Sequence, residues 1–351
     1  MIMNCDNNNM PSILIIYTGG TIGMKQNPET GALQPFNFEQ IREEMPVLKK
    51  FGFTIDTISF DTLIDSADVQ PDFWVKLCHI IAENYERYSG FVILHGTDTM
   101  SYTASALSFM LENLEKPVVL TGSQLPIDAI RTDGVENMVS AIEIAAAQHE
   151  GRPAVPEVCI FFASELYRGN RTSKDSAELF RAFRSGNYPP LAEAGINIKF
   201  NFNNIDYPQQ WDLPLQLHTN LDTNVGILKV FPGLNQRLTE SVLLHSELRA
   251  VVLETYGSGN APTSDWFIDT LKAALAQGLI LVNVTQCPTG SVDMGKYDNG
   301  LALKNIGVIN GYNMTTEAAV CKLFLLLGQH KDNEKVKLLW RKKIRGEMTI
   351  G

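Results

Sequence analysis

The chain has 351 residues, of which 44% are hydrophobic and 19% are charged, and it carries a formal net charge of −10 at pH 7. This length favours two domains with a core large enough to be stable without disulfides or metals. The acidic balance argues against nucleic-acid binding, which needs a basic surface.

The first predicted strand, residues 13–17, runs into a turn rich in glycine and threonine, Thr18-Gly19-Gly20-Thr21-Ile22-Gly23. Glycines permit a tight turn and a close approach of the backbone to a ligand. The Thr21 hydroxyl is therefore a candidate nucleophile, which would need a base or a basic neighbour to activate it. The same pattern fits a phosphate-binding turn or a Thr21 that only caps a helix. The glycine spacing, however, does not match GxGxxG, and no Walker lysine follows.

A second apolar strand, residues 91–94, ends in His95-Gly96-Thr97-Asp98-Thr99. The carboxyl ends of parallel strands form the edge of an α/β sheet at which ligands bind. There Asp98 could bind a substrate ammonium group while Thr97 takes part in proton transfer. Ordinary N-capping explains either residue taken alone. For His95, a neutral, hydrogen-bonded side chain is favoured over a general base.

The remaining elements of the first half alternate between strands and helices. Residues 101–115 have apolar positions at helical spacing, residues 117–120 form a short strand, Asp133 can cap another helix, and residues 157–163 form a further strand. This alternation is typical of a parallel sheet flanked by helices. We therefore predict an α/β fold whose larger N-terminal domain has a mostly parallel sheet.

Two further segments hold polar residues that could reach this sheet edge. Asp65-Ser66-Ala67-Asp68 is a polar turn that could hydrogen-bond a substrate carboxylate, although a simple loop explains it equally well. Lys174 lies in a polar segment, and most lysines are solvated. A lysine withdrawn from water has a lowered pKa and can accept a proton from a hydroxyl.

The alternation stops between residues 186 and 224, where prolines lie among Asn and Gln. Beyond this segment, residues 225–231, 250–254 and 279–284 are predicted strands, and residues 263–277 form a helix that Gly278 closes. We therefore assign residues 1–190 to the larger domain, 191–224 to a linker and 225–351 to a smaller C-terminal α/β domain.

The five cysteines are scattered and none forms a CxxC pair, which is typical of a reducing compartment. The six histidines form neither an HExxH motif nor a cluster with cysteine, so no metal is expected. Residues 1–11 have no charged leader or apolar stretch, and no later segment has the roughly eighteen apolar residues of a membrane span. A cytoplasmic protein is expected.

Together these motifs resemble the two signatures of the bacterial-type L-asparaginases. The signature segments are Thr18 to Gly23 and His95 to Thr99, and the resemblance extends over almost the whole chain. It includes Asp65-Ser66-Ala67-Asp68, Thr121-Gly122-Ser123-Gln124, Tyr167-Arg168-Gly169-Asn170-Arg171, Tyr256-Gly257-Ser258-Gly259-Asn260-Ala261-Pro262 and Thr285-Gln286-Cys287. The Tyr-Arg-Gly-Asn-Arg segment is similar to the cytoplasmic type I branch.

The resemblance implies hydrolysis of L-asparagine to L-aspartate and ammonia without a cofactor. Its implied catalytic residues are Thr21, the primary nucleophile, and a second set formed by Thr97, Asp98 and Lys174. Asp98 would also bind the α-ammonium group of the substrate. Ser66 would bind the α-carboxylate, and Asp65 and Gly96 would also contact the substrate. Asn260 would come from an adjoining subunit of a homodimer, usually paired into a homotetramer.

Two positions depart from the family pattern. Ala32 lies where members commonly carry a tyrosine next to the nucleophile, and Glu254 lies where some cytoplasmic members carry an arginine that holds a regulatory asparagine. Allosteric activation is therefore not expected, since a glutamate would repel that ligand's carboxylate.

Three questions stay open at the level of sequence. The first is whether Thr21 forms an acyl-enzyme or directs water to the amide. The second is whether the chain acts on glutamine, either as a glutaminase or as a subunit that feeds ammonia to a tRNA-dependent amidotransferase. The third is whether the chain is instead a sensor that binds an amino acid or a phosphate without turnover.

Overall fold

The computed structural model describes residues 10–26, 33–35, 48 and 50–350 of the chain. They divide into two compact units. The first contains residues up to 185 and residues 189–217, and the second contains residues 186–188 and those from 218 onward.

The strands of the first unit are short, and half of those described join one sheet. They are β1 (Ser12–Tyr17), β2 (Met24–Gln26), β3 (Leu33–Pro35), β4 (Thr54–Ser59), β5 (Gly90–Leu94), β6 (Leu111–Glu112), β7 (Val118–Thr121), β8 (Gln148–His149), β9 (Arg152–Pro153), β10 (Val158–Phe162), β11 (Glu165–Arg168), β12 (Ser173–Lys174), β13 (Phe183–Arg184), β14 (Ala192–Ala194), β15 (Ile198–Phe200) and β16 (Gln216–Leu217). The main sheet has the order β15-β14-β11-β10-β7-β5-β1-β4.

The strands from β4 to β10 in this order are mutually parallel, and the pairs beyond β10 are antiparallel. In chain order the parallel part reads 2-1-3-4-5, which is the order of flavodoxin-like sheets. The strand order reverses at β1, between β4 and β5. Ligands of such folds bind at this switch point, outside the carboxyl ends of the strands. The turns that follow β1 and β5 both lie there.

The first unit's long helices are α1 (Pro71–Glu83), α2 (Met100–Met110) and α3 (Gly134–Ala146). Helix α1 begins with a proline, whose missing N–H costs nothing in the first turn. Helix α3 packs on β1, β5, β7 and β10, and α2 packs on β7 and β10. The central strands are buried along their whole length, except for the half-buried Ser12 at the start of β1, which is typical of a parallel sheet with both faces covered.

Helix α2 is shorter and more buried than we predicted. It ends at Met110 because residues 111–112 pair with β16 and Asn113 adopts a positive φ of 60°. All of its residues except Tyr102 are buried, so it has no solvent-exposed face. A helix is confirmed here, but its predicted end at residue 115 and its single buried stripe are wrong, because tertiary contacts surround it on nearly all sides.

The second unit has its own parallel sheet of order β17-β18-β19-β20. Its strands are β17 (Val225–Lys229), β18 (Ala250–Thr255), β19 (Ile280–Thr285) and β20 (Ile309–Asn310), and its helices are α4 (Gln236–Leu243), α5 (Asp265–Ala276), α6 (Asp298–Ile306), α7 (Thr316–Gln329) and α8 (Asn333–Trp340). Gly278 lies just beyond α5 with a φ of +93°, in the left-handed conformation that often ends helices. This unit and the first together confirm the predicted α/β fold class.

The segment that we predicted as a linker carries short strands. Residues 189–217 belong to the first unit, where β14 and β15 extend the main sheet and β16 pairs with β6. Among the described residues, no helix combines the length and the apolar character that a membrane crossing requires.

Candidate active site

The turns that follow β1 and β5 touch each other through their backbones. The Thr18 hydroxyl and its N–H both bond to the Leu94 carbonyl, at 2.9 and 3.1 Å. Gly20 has a φ of +87°, and a Cβ atom at this position would lie 2.5 Å from the nitrogen of Gly96. Glycine is therefore required at position 20 for both conformation and space. This contact brings the turn that carries Thr21 against the turn that carries Thr97.

None of Thr21, Thr97 and Asp98 occupies the N-cap position of a helix. Thr21 opens a 3₁₀ turn that ends at Gly23, and Gly20 occupies the N-cap position. The N-cap of α2 is Thr99, whose hydroxyl bonds to the Ser66 carbonyl at 2.6 Å. The capping explanation thus does not account for Thr21, Thr97 or Asp98.

The polar turn at residues 65–68 lies against both of these turns. The Ile64 N–H donates to the Thr18 carbonyl at 2.9 Å. The Ser66 hydroxyl accepts from the Asp98 N–H at 3.2 Å, and a Cβ atom on Gly96 would lie 2.6 Å from it. Asp65 is exposed and accepts a bond from the Ala67 N–H at 2.9 Å, which caps its own short turn. The structure therefore places Ser66 beside Gly96 and Asp98.

Lys174 bridges the two polar side chains of the second turn. Its Nζ lies 2.7 Å from Thr97 Oγ1 and 2.7 Å from Asp98 Oδ1. The side chain of Lys174 is 21% exposed and that of Asp98 is 62% exposed. Because the ammonium donates to the Thr97 oxygen, it favours a build-up of negative charge there. The Asp98 carboxylate remains open to a cationic ligand.

A buried ion pair anchors the strand that precedes Lys174. Arg168, at the end of β11, donates to both carboxylate oxygens of Glu157, from Nε at 2.6 Å and from an Nη at 3.0 Å. Burial raises the pKa of Glu157, and the Arg168 guanidinium opposes that effect. Such a bidentate pair fixes orientation as well as distance. It holds β11 next to β10 just before the chain turns toward Lys174.

The buried surroundings of His95 favour a neutral ring over a charged one. The ring is 1% exposed, and its Nδ1 lies 2.6 Å from the Gly96 carbonyl oxygen. Burial lowers the pKa of His95 to about 4, and the contact with the Gly96 backbone opposes this only partly. At neutral pH the ring carries no charge.

Sequence reasoning missed the part that Asp133 and Gln124 play. Asp133 occupies the N-cap position of α3, as we predicted, but its side chain makes no cap bond and accepts the N–H groups of Gln124 and Leu125 instead. The Gln124 amide donates to the Leu179 carbonyl at 3.1 Å. Asp133 therefore holds the turn after β7, and Gln124 connects that turn to the loop beyond Lys174. The polar run that ends β7 was the available signal.

The other predicted positions belong to the second unit or lie outside the described residues. Asn260 belongs to the second unit, where its N–H and carbonyl pair with Tyr256. Glu254, also in the second unit, accepts a bond from the Thr316 hydroxyl at 2.6 Å. Ala32 lies outside the described residues. Within the described part of the chain, no group of three or more His, Cys, Asp or Glu could hold a metal ion.

Known proteins and protein families match this chain over nearly its whole length. The family model for the N-terminal asparaginase domain matches residues 12–206, and the model for the glutaminase/asparaginase C-terminal domain matches residues 224–339. L-asparaginase 1 of Escherichia coli K12 is 43% identical over 346 residues, which cover 96% of this chain and 98% of that protein.

Two further matches are similarly extensive. The crystal structure of L-asparaginase I from Vibrio cholerae has 42% identity and a TM-score of 0.88, and the match covers 97% of this chain and all of that one. The 60 kDa lysophospholipase of Mus musculus is 40% identical over 96% of this chain, which spans 62% of that longer protein.

Proposed function

This chain belongs to the asparaginase family, and on that premise we propose that it is an L-asparaginase in which Thr21 is the nucleophile. The reaction is hydrolysis of the side-chain amide of L-asparagine to L-aspartate and ammonia. The observation that carries the proposal is the contact of Lys174 Nζ with both Thr97 and Asp98, next to the turn that holds Thr21.

Each polar group of the site has a role that its chemistry suits. Thr21 attacks the amide carbon. Thr97, whose oxygen accepts from Lys174, takes part in the proton transfer that this attack requires. Backbone N–H groups of the two glycine turns are suited to the oxyanion of the tetrahedral intermediate. The amide nitrogen then takes up a proton and leaves as ammonia, and water hydrolyses the resulting acyl-enzyme to release L-aspartate and free Thr21.

The α-substituents of the substrate have matching partners. Asp98 binds the α-ammonium group, since its carboxylate is largely exposed and already forms an ion pair with the Lys174 ammonium. Ser66 binds the α-carboxylate, with Asp65 and the Gly96 backbone beside it. Asn260 is supplied by an adjoining subunit, so the enzyme is a homodimer or homotetramer.

A cytoplasmic location belongs to this proposal. The cysteines that the structure describes, Cys78, Cys159, Cys287 and Cys321, are all free thiols. Unpaired cysteines are typical of proteins in a reducing compartment.

The proposal is tested by ammonia release from L-asparagine at neutral pH, compared with L-glutamine. We expect turnover with asparagine. The added methylene of glutamine is worth only about 1–3 kcal/mol of discrimination, so some glutamine turnover is compatible with the proposal. Thr21→Ala should reduce kcat by about a thousandfold or more, whereas Thr21→Ser, which keeps the hydroxyl, should retain much of it. A wild-type protein that releases no ammonia from asparagine would refute the proposal.

A further inference from the structure

A continuous chain of hydrogen bonds lies buried beneath the second turn. The Trp74 indole N–H donates to the Thr103 hydroxyl at 3.0 Å, that hydroxyl lies 2.9 Å from His95 Nε2, and His95 Nδ1 lies 2.6 Å from the Gly96 carbonyl oxygen. His95 and Thr103 are 1% and 0% exposed. The chain connects α1 and α2 to the backbone of the turn.

The groups at the two ends of this series of hydrogen bonds decide which partner donates in each bond. An indole N–H only donates, and a carbonyl oxygen only accepts. The Thr103 hydroxyl accepts from Trp74 and donates its own proton to His95 Nε2. The proton of the imidazole is therefore on Nδ1, from which it is donated to Gly96. The surroundings specify one neutral tautomer, and Phe73 packs edge-on against the ring at 5.5 Å between centroids.

The bond from His95 to the Gly96 carbonyl also fixes the Thr97 N–H, which belongs to the same peptide group. The Gly96 carbonyl and the Thr97 N–H belong to one rigid trans peptide plane and point in opposite directions. Among the residues that the structure describes, the Thr97 N–H has no protein acceptor. When the imidazole holds the carbonyl, the N–H is held too, pointing away from the buried ring.

We propose that His95 is a positioning residue: it clamps the Gly96–Thr97 peptide so that the Thr97 N–H stays aimed at the amide oxygen of the substrate. This rests on the proposed function, because it gives that N–H a place in the oxyanion hole. His95 does not touch the substrate and transfers no proton to it. Donors of this kind act because they are fixed before charge develops in the transition state.

The first test compares two amide replacements at position 95. The side-chain amide of His95→Asn can donate from the place of Nδ1, whereas the amide of His95→Gln reaches the place of Nε2. Because loss of one oxyanion-hole donor costs about 10²–10³ in kcat, we expect His95→Gln to lose at least about tenfold and His95→Asn to stay within about threefold of the wild type. KM should change little in both, since it depends on Asp98 and Ser66. Melting temperatures are measured in parallel.

A second pair of variants tests the outer link of the chain. Thr103→Val removes the hydroxyl that selects the tautomer, and Thr103→Ser restores it. We expect a lowered kcat only in Thr103→Val. The ¹⁵N chemical shifts of the wild-type imidazole should show the proton on Nδ1, and that measurement does not depend on turnover.

The outcomes separate the two proposals. An inactive wild-type protein would overturn the function and this role with it. An active wild type whose His95 proton is on Nε2 would overturn only the positioning role. Two further results would overturn only the positioning role. One is an equal loss of kcat in His95→Asn and His95→Gln that follows the loss of melting temperature. The other is a change in KM rather than in kcat in either variant.

Discussion

Lys174 is the residue on which the polar groups of the second turn converge. Its ammonium lies at 2.7 Å from both Thr97 and Asp98. Removing the ammonium leaves the Thr97 oxygen without its cationic partner during proton transfer. We expect Lys174→Met to lower kcat by about a thousandfold, as measured by ammonia release under saturating asparagine.

A matched control is available for this prediction. Lys337 in the second unit also pairs at 2.7 Å with a largely exposed carboxylate, that of Glu334. Exposed ion pairs of this kind contribute only about 0–1 kcal/mol to stability, so neither methionine variant should unfold the protein. Lys337→Met should retain full activity. Equal losses in the two variants would show that the effect on kcat is not specific to Lys174.

His95 makes a prediction about stability and pH. Burial lowers its folded-state pKa from 6.5 to about 4. Between these two values the unfolded chain binds a proton that the folded protein does not bind, so stability falls as the pH is lowered from about 6.5 to about 4, by about 3 kcal/mol in total. Below that range this contribution is constant.

The measurement is the free energy of unfolding in urea at several pH values from 7 to 4, for the wild type and His95→Asn. Other groups titrate in both proteins, and the difference between the two curves isolates the histidine. The wild type should lose more stability across this range than the variant does. Parallel curves would contradict the low pKa.

At the scale of elements, a buried ion pair joins Arg168, at the end of β11, to Glu157, the residue before β10. The Arg168 side chain is 2% exposed. Breaking a buried pair by removing one partner costs about 3–5 kcal/mol because a charge is left without compensation. We expect Arg168→Met to lower the free energy of unfolding by that amount in urea denaturation.

The control for this prediction is Arg87→Met. Arg87 pairs with Asp56 at 3.2 Å, and its side chain is 71% exposed. Since solvent screens such a pair, its loss should cost about 0–1 kcal/mol. If the two substitutions proved equally costly, the distinction between a buried and an exposed pair would not hold here.

The elements themselves were largely predictable. The strand predicted at residues 157–163 is observed as β10, and the helix predicted at 263–277 is observed as α5, in each case with ends shifted by one or two residues. Apolar runs and turn residues are local signals, and they mark such elements well. Helix α2 was predicted less well, because its burial on all sides depends on elements far away in the chain.

On the scale of the whole molecule, the proposed function predicts that each site contains residues of two subunits. If Asn260 of one subunit completes the site of another, two inactive variants should complement each other. Thr21→Ala and Asn260→Ala, each unfolded and then refolded together, form mixed dimers in which one of the two sites is entirely wild type. We expect about a quarter of the wild-type activity to return.

The refolded mixture is compared with the two variants refolded separately and then combined. Only co-refolding should restore ammonia release. A mixture that stays as inactive as its components would mean that Asn260 serves the site of its own chain or serves no site.

The sequence alone determined the chemical groups and the local structure that carries them. The strand before each glycine turn, the hydroxyls of Thr21 and Thr97 and the α/β alternation are properties of neighbouring residues, so periodicity and turn chemistry are enough to recognise them. Tertiary structure decided how these groups meet. Three contacts join residues that lie far apart in sequence or in different elements: Lys174 with Thr97, His95 with Thr103, and Asp133 with Gln124. They depend on the strand order, which places β1 beside β5, and no local pattern encodes such an arrangement.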